Sequence, residues 1–481
     1  MCDIKVERIS NVYVKVTCDQ GIAQELSEFF TFMSPGHEFS PAFKKRHWDG
    51  KIRLFNMRNY TIYSGLAPYI EEYAKSRGYS YESDKEEIDL VDTSNFAKAI
   101  NLTVEPRDYQ LYASSYALSR KRAVLLSPTA SGKSLIIYLI ARYLLQTKKQ
   151  GLLVVPTISL VEQMYTDFKG YGWDVEDNCQ KVYAGQGKAP VAPLVISTWQ
   201  SIHDLPRRYF AQFDFIIGDE AHTFKAKSLT GLMEKLVNCD VRIGTTGTID
   251  NQKLNKLILE GIFGPVKKII STKQLIDRKQ LSELEIKSII LQYDDELAAL
   301  IHKTTYQEEI EFLIGHKPRN NFIRNLAISL KGNSLILFTY VEKHGKILLD
   351  LIQEKAGDRK VFFVCGDTDV LDREAIRAIT EKENDAIIVA SFGTFSTGIN
   401  IRRLHNIIFA SPTKSKIRSL QSVGRGLRLG EDKDKATLYD IADDLRYKNR
   451  VNFSLRHYEE RMKIFEEEKF PIKIIKVRIN K

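Results

Sequence analysis

No apolar run in this 481-residue chain approaches the ~18 residues that a membrane-crossing helix needs. The first ten residues, MCDIKVERIS, have no apolar core of the kind a secretory signal carries. Membrane spanning and secretion are therefore not expected. Cysteine is scarce: Cys2, Cys18, Cys179, Cys239 and Cys365 are scattered, odd in number and form no Cys-x-x-Cys pair. That excludes a zinc ribbon and a disulfide framework and fits a reducing compartment, so a cytoplasmic location is expected. Internal repeats at a period of 20–50 residues and low-complexity linkers are also missing, which removes solenoid and array architectures. Positive charge is not scarce. The formal net charge of +10 is compatible with a nucleic-acid partner but only weakly diagnostic of one.

The most informative stretch is PTASGKS, residues 128–134. It follows an apolar run, Ala123 to Leu126, that reads as a buried strand. It opens a second run, Leu135 to Leu145, that reads as a buried helix. Strand, small-residue turn, Gly-Lys-Ser and helix make the layout of a phosphate-binding loop. Backbone amides of Thr129, Ala130, Ser131 and Gly132 would face an anion at the helix N-terminus. Lys133 would reach the β/γ-phosphates of ATP, and the Ser134 hydroxyl would bind Mg²⁺. The strict pattern wants a glycine where this chain has Ser127, so the stretch alone also fits a helix N-cap that binds nothing.

The first ninety residues read as a small α+β domain. Ile4 to Thr17 alternates apolar and polar residues, as one half-buried strand would, and Gly21 to Phe30 reads as an amphipathic helix. In FKKRHWDGKIRLF (43–55), Asp49-Gly50 signals a hairpin turn flanked by Lys44, Lys45, Arg46, Lys51 and Arg53, with Trp48 at its mouth. Such cations beside an aromatic ring can meet phosphates and stack a base. A solvated hairpin anchored by its Trp is the alternative. Glu71 to Lys85 reads as helix then turn, and the acidic stretch Asp84 to Asp92 as a linker.

From residue 91 the pattern changes. EPRDYQ (105–110) precedes a helix, and the Gln110 amide offers both a donor and an acceptor to an adenine edge. Buried strands at 151–155, 194–198, 215–219 and 241–245 alternate with helical patterns, which implies βαβ units and a parallel sheet. Polar residues stand at the strand ends, where such sheets collect function. Asp219-Glu220-Ala221-His222 closes FIIG. Asp219 suits Mg²⁺, Glu220 suits deprotonation of an attacking water, and His222 suits a link between nucleotide state and the second half of the protein.

Helical patterns between 275 and 330 lead to a second parallel α/β unit with strands at 334–340, 360–365, 386–391, 406–411 and 436–441. This half has no phosphate loop. It carries FGTFSTGIN (392–400) and QSVGRGLR (421–428), whose Arg425 and Arg428 share a face if the stretch is helical. Two such arginines suit transition-state charge on a γ-phosphate. The tail, a charged helical pattern from Arg456 to Glu468 and an alternating segment at 472–479, either packs on this second lobe or forms an exposed basic edge strand.

Taken in order, YQ (109–110), PTASGKS, VPTISLVEQM (155–164), STWQS (197–201), DEAH (219–222), TTGT (245–248), LFTY (337–340), FSTGIN (395–400) and QSVGRGLR resemble the motif series of the superfamily 2 helicases. HWDGKIRLF and the whole layout resemble the UvsW-type helicases of T-even-type bacteriophages. The resemblance implies two RecA-like parallel-sheet lobes, residues 91–275 and 276–455, plus the N-terminal domain at 1–90 and a tail at 456–481. It implies ATP and Mg²⁺ as cofactors, with Arg107, Gln110, residues 129–134 and Gly398 around the nucleotide. Lys133, Asp219, Glu220, Gln421, Arg425 and Arg428 would be catalytic, and Ser134 and Asp219 would hold the metal. Thr245, Thr246 and Thr248 would couple hydrolysis to nucleic acid. Asn400 departs from the Asp of many relatives.

The expected activity is ATP-driven unwinding or branch migration of forks, Holliday junctions and R-loops in recombination, replication and repair. DNA would run along Thr157, Ser197, Thr198 and Thr397, with Lys44, Lys45, Arg46, Trp48 and Lys51 adding shape preference. A monomer or weak oligomer in the host cytoplasm is expected. The rivals are an RNA helicase and a non-catalytic clamp that uses ATP as a switch. No acid-acid-lysine cluster outside the motor supports a nuclease.

Overall fold

Strands that are apolar on both faces need helices on both sides, and the computed structural model meets that need twice. It describes residues 2–84, 88–147, 150–183, 187–249, 252–398, 401, 403–412 and 435–479. The chain divides into two compact units, residues 1–127 with 132–269, and residues 270–481 with 128–131.

The first unit begins with a mixed sheet. Strand β1 (Ile4–Arg8) pairs antiparallel with β2 (Tyr13–Cys18). The single strand expected over Ile4 to Thr17 is thus two, folded back at Ser10 and Asn11. Periodicity could not reveal the turn, because Val6, Val14 and Val16 keep one phase across it and all face the core. A two-stranded ribbon follows, β3 (Thr31–Met33) with β4 (Lys51–Arg53). β5 (Thr61–Tyr63) joins β2, and β6 (Tyr81–Ser83) joins β1, giving the order β5-β2-β1-β6. Helices Gln20–Phe29 and Ala67–Arg77 cover the sheet. Asp19 caps the first by accepting from Ile22 N, and Gly78 ends the second at φ 74°.

The same unit then builds a seven-stranded, all-parallel sheet. Its strands are β7 (Arg122–Leu126), β8 (Gly151–Val155), β9 (Cys179–Val182), β10 (Leu194–Thr198), β11 (Phe215–Asp219), β12 (Val241–Thr246) and β13 (Val266–Lys268). The order is β13-β7-β12-β11-β8-β10-β9. Alternate residues feed opposite faces. Leu153, Val155, Phe215 and Ile217 join the core under helix Lys133–Leu145, while Leu152, Val154 and Ile216 join the core under helix Lys227–Lys235.

The second unit repeats the plan with β14 (Glu283–Gln292), β15 (Ser334–Phe338), β16 (Val361–Val364), β17 (Ile387–Ser391), β18 (Asn406–Phe409), β19 (Lys435–Asp444) and β20 (Ile472–Arg478). All are parallel, in the order β16-β17-β15-β18-β19-β14-β20. The tail is therefore an edge strand of this sheet, preceded by helix Phe453–Glu467. Among the described residues no helix is long and apolar enough to cross a membrane.

Candidate functional site

The parallel register of the first sheet brings its polar strand ends to one edge. β7 is followed by Ser127, whose amide donates to Thr246 O at the end of β12 (2.9 Å). The turn that follows is closed by Ser131, whose amide and hydroxyl both donate to Pro128 O (3.2 and 2.7 Å). The left-handed residues are Ala130 (φ 66°) and Gly132 (φ 75°), and Ser127 is not among them. A glycine is thus not required at position 127, which explains why the strict loop pattern can fail there without altering the turn. Gly132 caps helix Lys133–Leu145, so the first-turn amides face the space beyond β7.

Gln110 sits over this loop. It is buried; its amide oxygen accepts from Arg107 N (2.9 Å) and its amide nitrogen donates to Gly132 O (3.4 Å). A Cβ on Gly132 would lie 2.3 Å from that nitrogen and at φ 75°, so a side chain there is strained and must displace Gln110. Arg107 itself donates to the Tyr109 hydroxyl (2.8 Å). Lys133 folds back on Ser127 O (3.4 Å), and the Ser134 hydroxyl is within 2.8 Å of the Tyr171 hydroxyl.

Two neighbours along the edge, β11 and β12, pair Asp219 with Thr245. The Thr245 hydroxyl donates to Asp219 Oδ1 at 2.8 Å. Burial and the adjacent Glu220 push the Asp219 carboxyl up to about 6, against the pull of Lys133 and of the Thr245 bond. Glu220 takes a left-handed backbone (φ 49°) that swings the chain into a tight turn at Ala221–Lys225. Its carboxylate approaches His222 Nδ1 (3.3 Å). His222 Nδ1 also meets the Thr246 hydroxyl oxygen at 3.0 Å, and that hydroxyl donates to Thr248 O (2.9 Å). With its proton so placed, the Thr246 oxygen is free to accept, and an Nδ1–H tautomer of His222 would suit both it and the Glu220 carboxylate. Strand β11 and the turn after it therefore touch β12 through two separate side-chain bonds.

This closeness has a steric condition that sequence reading missed. A Cβ on Gly244 would stand 2.8 Å from Ala221 Cβ, and one on Gly218 2.7 Å from the Phe224 ring. Both glycines let the turn lie on the sheet. The only sequence signal was a glycine inside each of two apolar strands.

The expected nucleic-acid residues fall into different environments. Thr157 is half-buried and caps helix Ile158–Gly170 by accepting from Leu160 N (3.3 Å). Ser197 and Thr198 are buried at 0% and 4% exposure. Ser197 donates its hydroxyl inward, and Thr198 pairs with Ser201 (2.9 Å). They end a strand with neighbours on both sides, so their hydroxyls are not presented to solvent here. Gln200, one turn further and exposed, is presented instead.

In the N-terminal domain the expected hairpin is not formed. Residues before the turn make a short helix, Pro41–Lys44, because Ser40-Pro41 starts a helix better than a strand, and β4 pairs with the distant β3. The turn signal itself holds: Gly50 has φ 76°, and Asp49 accepts from Lys51 N. Lys44, Lys45, Arg46 and Lys51 are exposed. Trp48 is half-buried and donates to Lys51 O (3.0 Å). Glu38, Phe43, Lys44, Arg46, Trp48 and Asp49 line an open pocket of about 540 Å³. Arg53 is paired with Asp49.

In the second unit, Thr397 and Gly398 lie in the last turn of helix Phe392–Gly398, directly after β17. The β15 end continues through Thr339 and Tyr340 into a wide helical turn, Val341–Gly345. Asn400, Gln421, Arg425 and Arg428 lie outside the described residues.

Two known families match segments that begin and end within the range of the first unit. A family described as DNA helicase UvsW, N-terminal, matches residues 3–84. One described as Type III restriction enzyme, res subunit, matches 103–251. The chain is 34% identical to the ATP-dependent DNA helicase uvsW of Enterobacteria phage T4, over 97% of this chain and 98% of that one. It is 25% identical to the DNA 3'-5' translocase XPB2 of Sulfurisphaera tokodaii, over 78% and 89% of the two chains. The crystal structure of T4 UvsW superposes with a TM-score of 0.53 and 32% identity, covering 99% of this chain and all of that one.

Proposed function

The chain belongs to the UvsW family of ATP-dependent superfamily 2 DNA helicases, and from that premise we propose that it remodels branched DNA, opening or migrating forks, Holliday junctions and R-loops in recombination, replication and repair. We place this activity in the cytoplasm, that of the host cell if the chain is phage-encoded.

The observation that carries the reading is the pair of bonds Thr245–Asp219 and His222–Thr246. They tie the acids at the phosphate loop's edge to the next strand, so a change in what Asp219 and Glu220 hold moves that strand's end.

In this reading the amides of residues 129–132 and the Lys133 ammonium bind the phosphates of ATP, and Arg107 and Gln110 meet its base. Glu220 takes the proton of the attacking water. The oxygen donors Asp219 and Ser134 are those Mg²⁺ prefers, few enough to leave room for phosphate and water. When bound, the ion would offset negative charge on the phosphate oxygens. Asp219 must be ionised for this; Lys133 and the Thr245 hydroxyl favour its charged form against burial and Glu220. Gln421, Arg425 and Arg428 are assigned to the γ-phosphate by their motif spacing, with Gly398 beside the nucleotide. Thr157 and Thr397 are assigned to the DNA backbone, with Gln200 replacing the Ser197 and Thr198 hydroxyls. Lys44, Lys45, Arg46, Trp48 and Lys51 form a second DNA contact, cationic and aromatic, that needs no base sequence.

Strand separation on a fork and on an unbranched duplex of equal length tests this. ATP-dependent opening that favours the fork is expected. Equal rates on both, or activity on RNA alone, would overturn the branched-DNA reading.

A further inference from the structure

The N-terminal sheet and the first parallel sheet belong to one compact unit, and two acids hold them together. Tyr13 on β2 and Tyr63 on β5 are register partners with stacked rings, 5.3 Å between centroids. Both hydroxyls donate to the same oxygen of Glu234, Oε1, at 3.0 and 2.6 Å. Burial, aided by this carboxylate, pushes the Tyr13 phenol up to about 12 and Tyr63 higher still, so both remain donors. Some distance away Tyr69 donates to Glu260 Oε2, whose other oxygen accepts from Val266 N (3.1 Å). Between the two acids the backbones meet. Asn11 O accepts from the Arg122 guanidinium (2.7 Å), the Asn11 side-chain amide Nδ2 donates to Val237 O (2.9 Å), and a Cβ on Gly65 would lie 1.9 Å from Glu260 O. Leu257 completes the core of the N-terminal domain.

The placement of these acids matters more than their number. Glu234 ends helix Lys227–Lys235, which begins two residues after the Ala221–Lys225 turn that contains His222. Glu260 lies on Lys253–Ile262, the first helix after Thr245, Thr246 and Thr248. The N-terminal domain is thus mounted, through these carboxylates, on the helices that leave the two hydrolysis motifs.

We propose that Glu234 and Glu260 are positioning residues that make the N-terminal domain a rigid extension of those motifs, so that a change at Asp219, Glu220 and His222 is delivered to DNA held by the basic N-terminal segment. The inference rests on the DNA-binding reading of that segment. Severing the mount leaves hydrolysis intact and uncouples it from DNA remodelling.

The test measures ATP hydrolysed and base pairs opened on a fork, in the full chain, for wild type, Glu234→Ala, Glu234→Gln and Gly65→Ala. Gln keeps an acceptor for the two phenols; Ala does not. Expected are single-strand-stimulated hydrolysis within about twofold of wild type throughout, and base pairs opened per ATP lowered at least about fivefold in Glu234→Ala, with recovery in Glu234→Gln. Gly65→Ala, which pries the same interface from its backbone side, should repeat the Glu234→Ala result if the Glu234 variant fails to fold. Unchanged base pairs per ATP in both Ala variants would overturn the inference. So would a fall of hydrolysis in proportion to opening, which marks a purely structural contact. If wild type opens no fork, the DNA reading fails first and the coupling with it.

Discussion

At single residues, register fixes which groups meet at the strand ends. Thr245 supplies a hydroxyl donor to the buried Asp219 carboxylate. Removing it in Thr245→Val leaves the charged form less stabilised, so a carboxyl already raised to about 6 rises further. Hydrolysis should fall about tenfold near neutral pH, and the acid limb of the rate profile should move to higher pH. An unchanged profile would separate Asp219 from catalysis. Gly132→Ala places a carbon 2.3 Å from Gln110 and forces a side chain into φ 75°. ATP binding, read by titration calorimetry, should weaken at least about tenfold, whereas Ser127→Gly should leave it nearly unchanged.

His344 gives a pH prediction in the second unit. Burial first, then nearby Arg319, holds its imidazole down to about 3 from the usual 6.5. It is held between the Ser411 hydroxyl and the Asn320 amide oxygen. The unfolded chain takes up a proton below pH 6.5 that the folded chain refuses. Stability is therefore complete above that pH and falls as pH drops, by about 2 kcal/mol at pH 5 from this residue. His344→Gln should flatten that part of the profile in urea denaturation.

Among elements, the parallel sheets were legible because strands buried on both faces must be apolar throughout, and runs such as GLLVV and SLILF are. The phosphate loop and DEAH turn were legible as strand ends that turn polar. Where reading failed, a local signal served two structures. The 4–17 alternation kept phase through a turn, and Asp49-Gly50 made a turn without a hairpin. That Ser197 and Thr198 are buried between two neighbouring strands is likewise visible only in the fold. Long-range partners carry no local signal at all. Tyr63 and Glu234, or Arg319 and Asp443, can be paired only by the fold. The latter pair joins helix Lys317–Ser329 to the end of β19 at 2.8 and 3.0 Å, fully buried, with Tyr293 donating to the same carboxylate. Arg319→Met leaves that carboxylate without its cation and should cost about 3–5 kcal/mol in denaturant unfolding. A loss under 1 kcal/mol would show the lock to be dispensable.

For the whole molecule, the claim is that one edge of the first sheet binds and hydrolyses ATP and that DNA controls the rate. Steady-state hydrolysis by wild type and Glu220→Gln, each without nucleic acid and with single-stranded DNA, forked DNA or single-stranded RNA, addresses it most directly. Strong stimulation by DNA is expected, lowered at least about a hundredfold in Glu220→Gln. Hydrolysis that DNA does not change, or that survives Glu220→Gln, would contradict it.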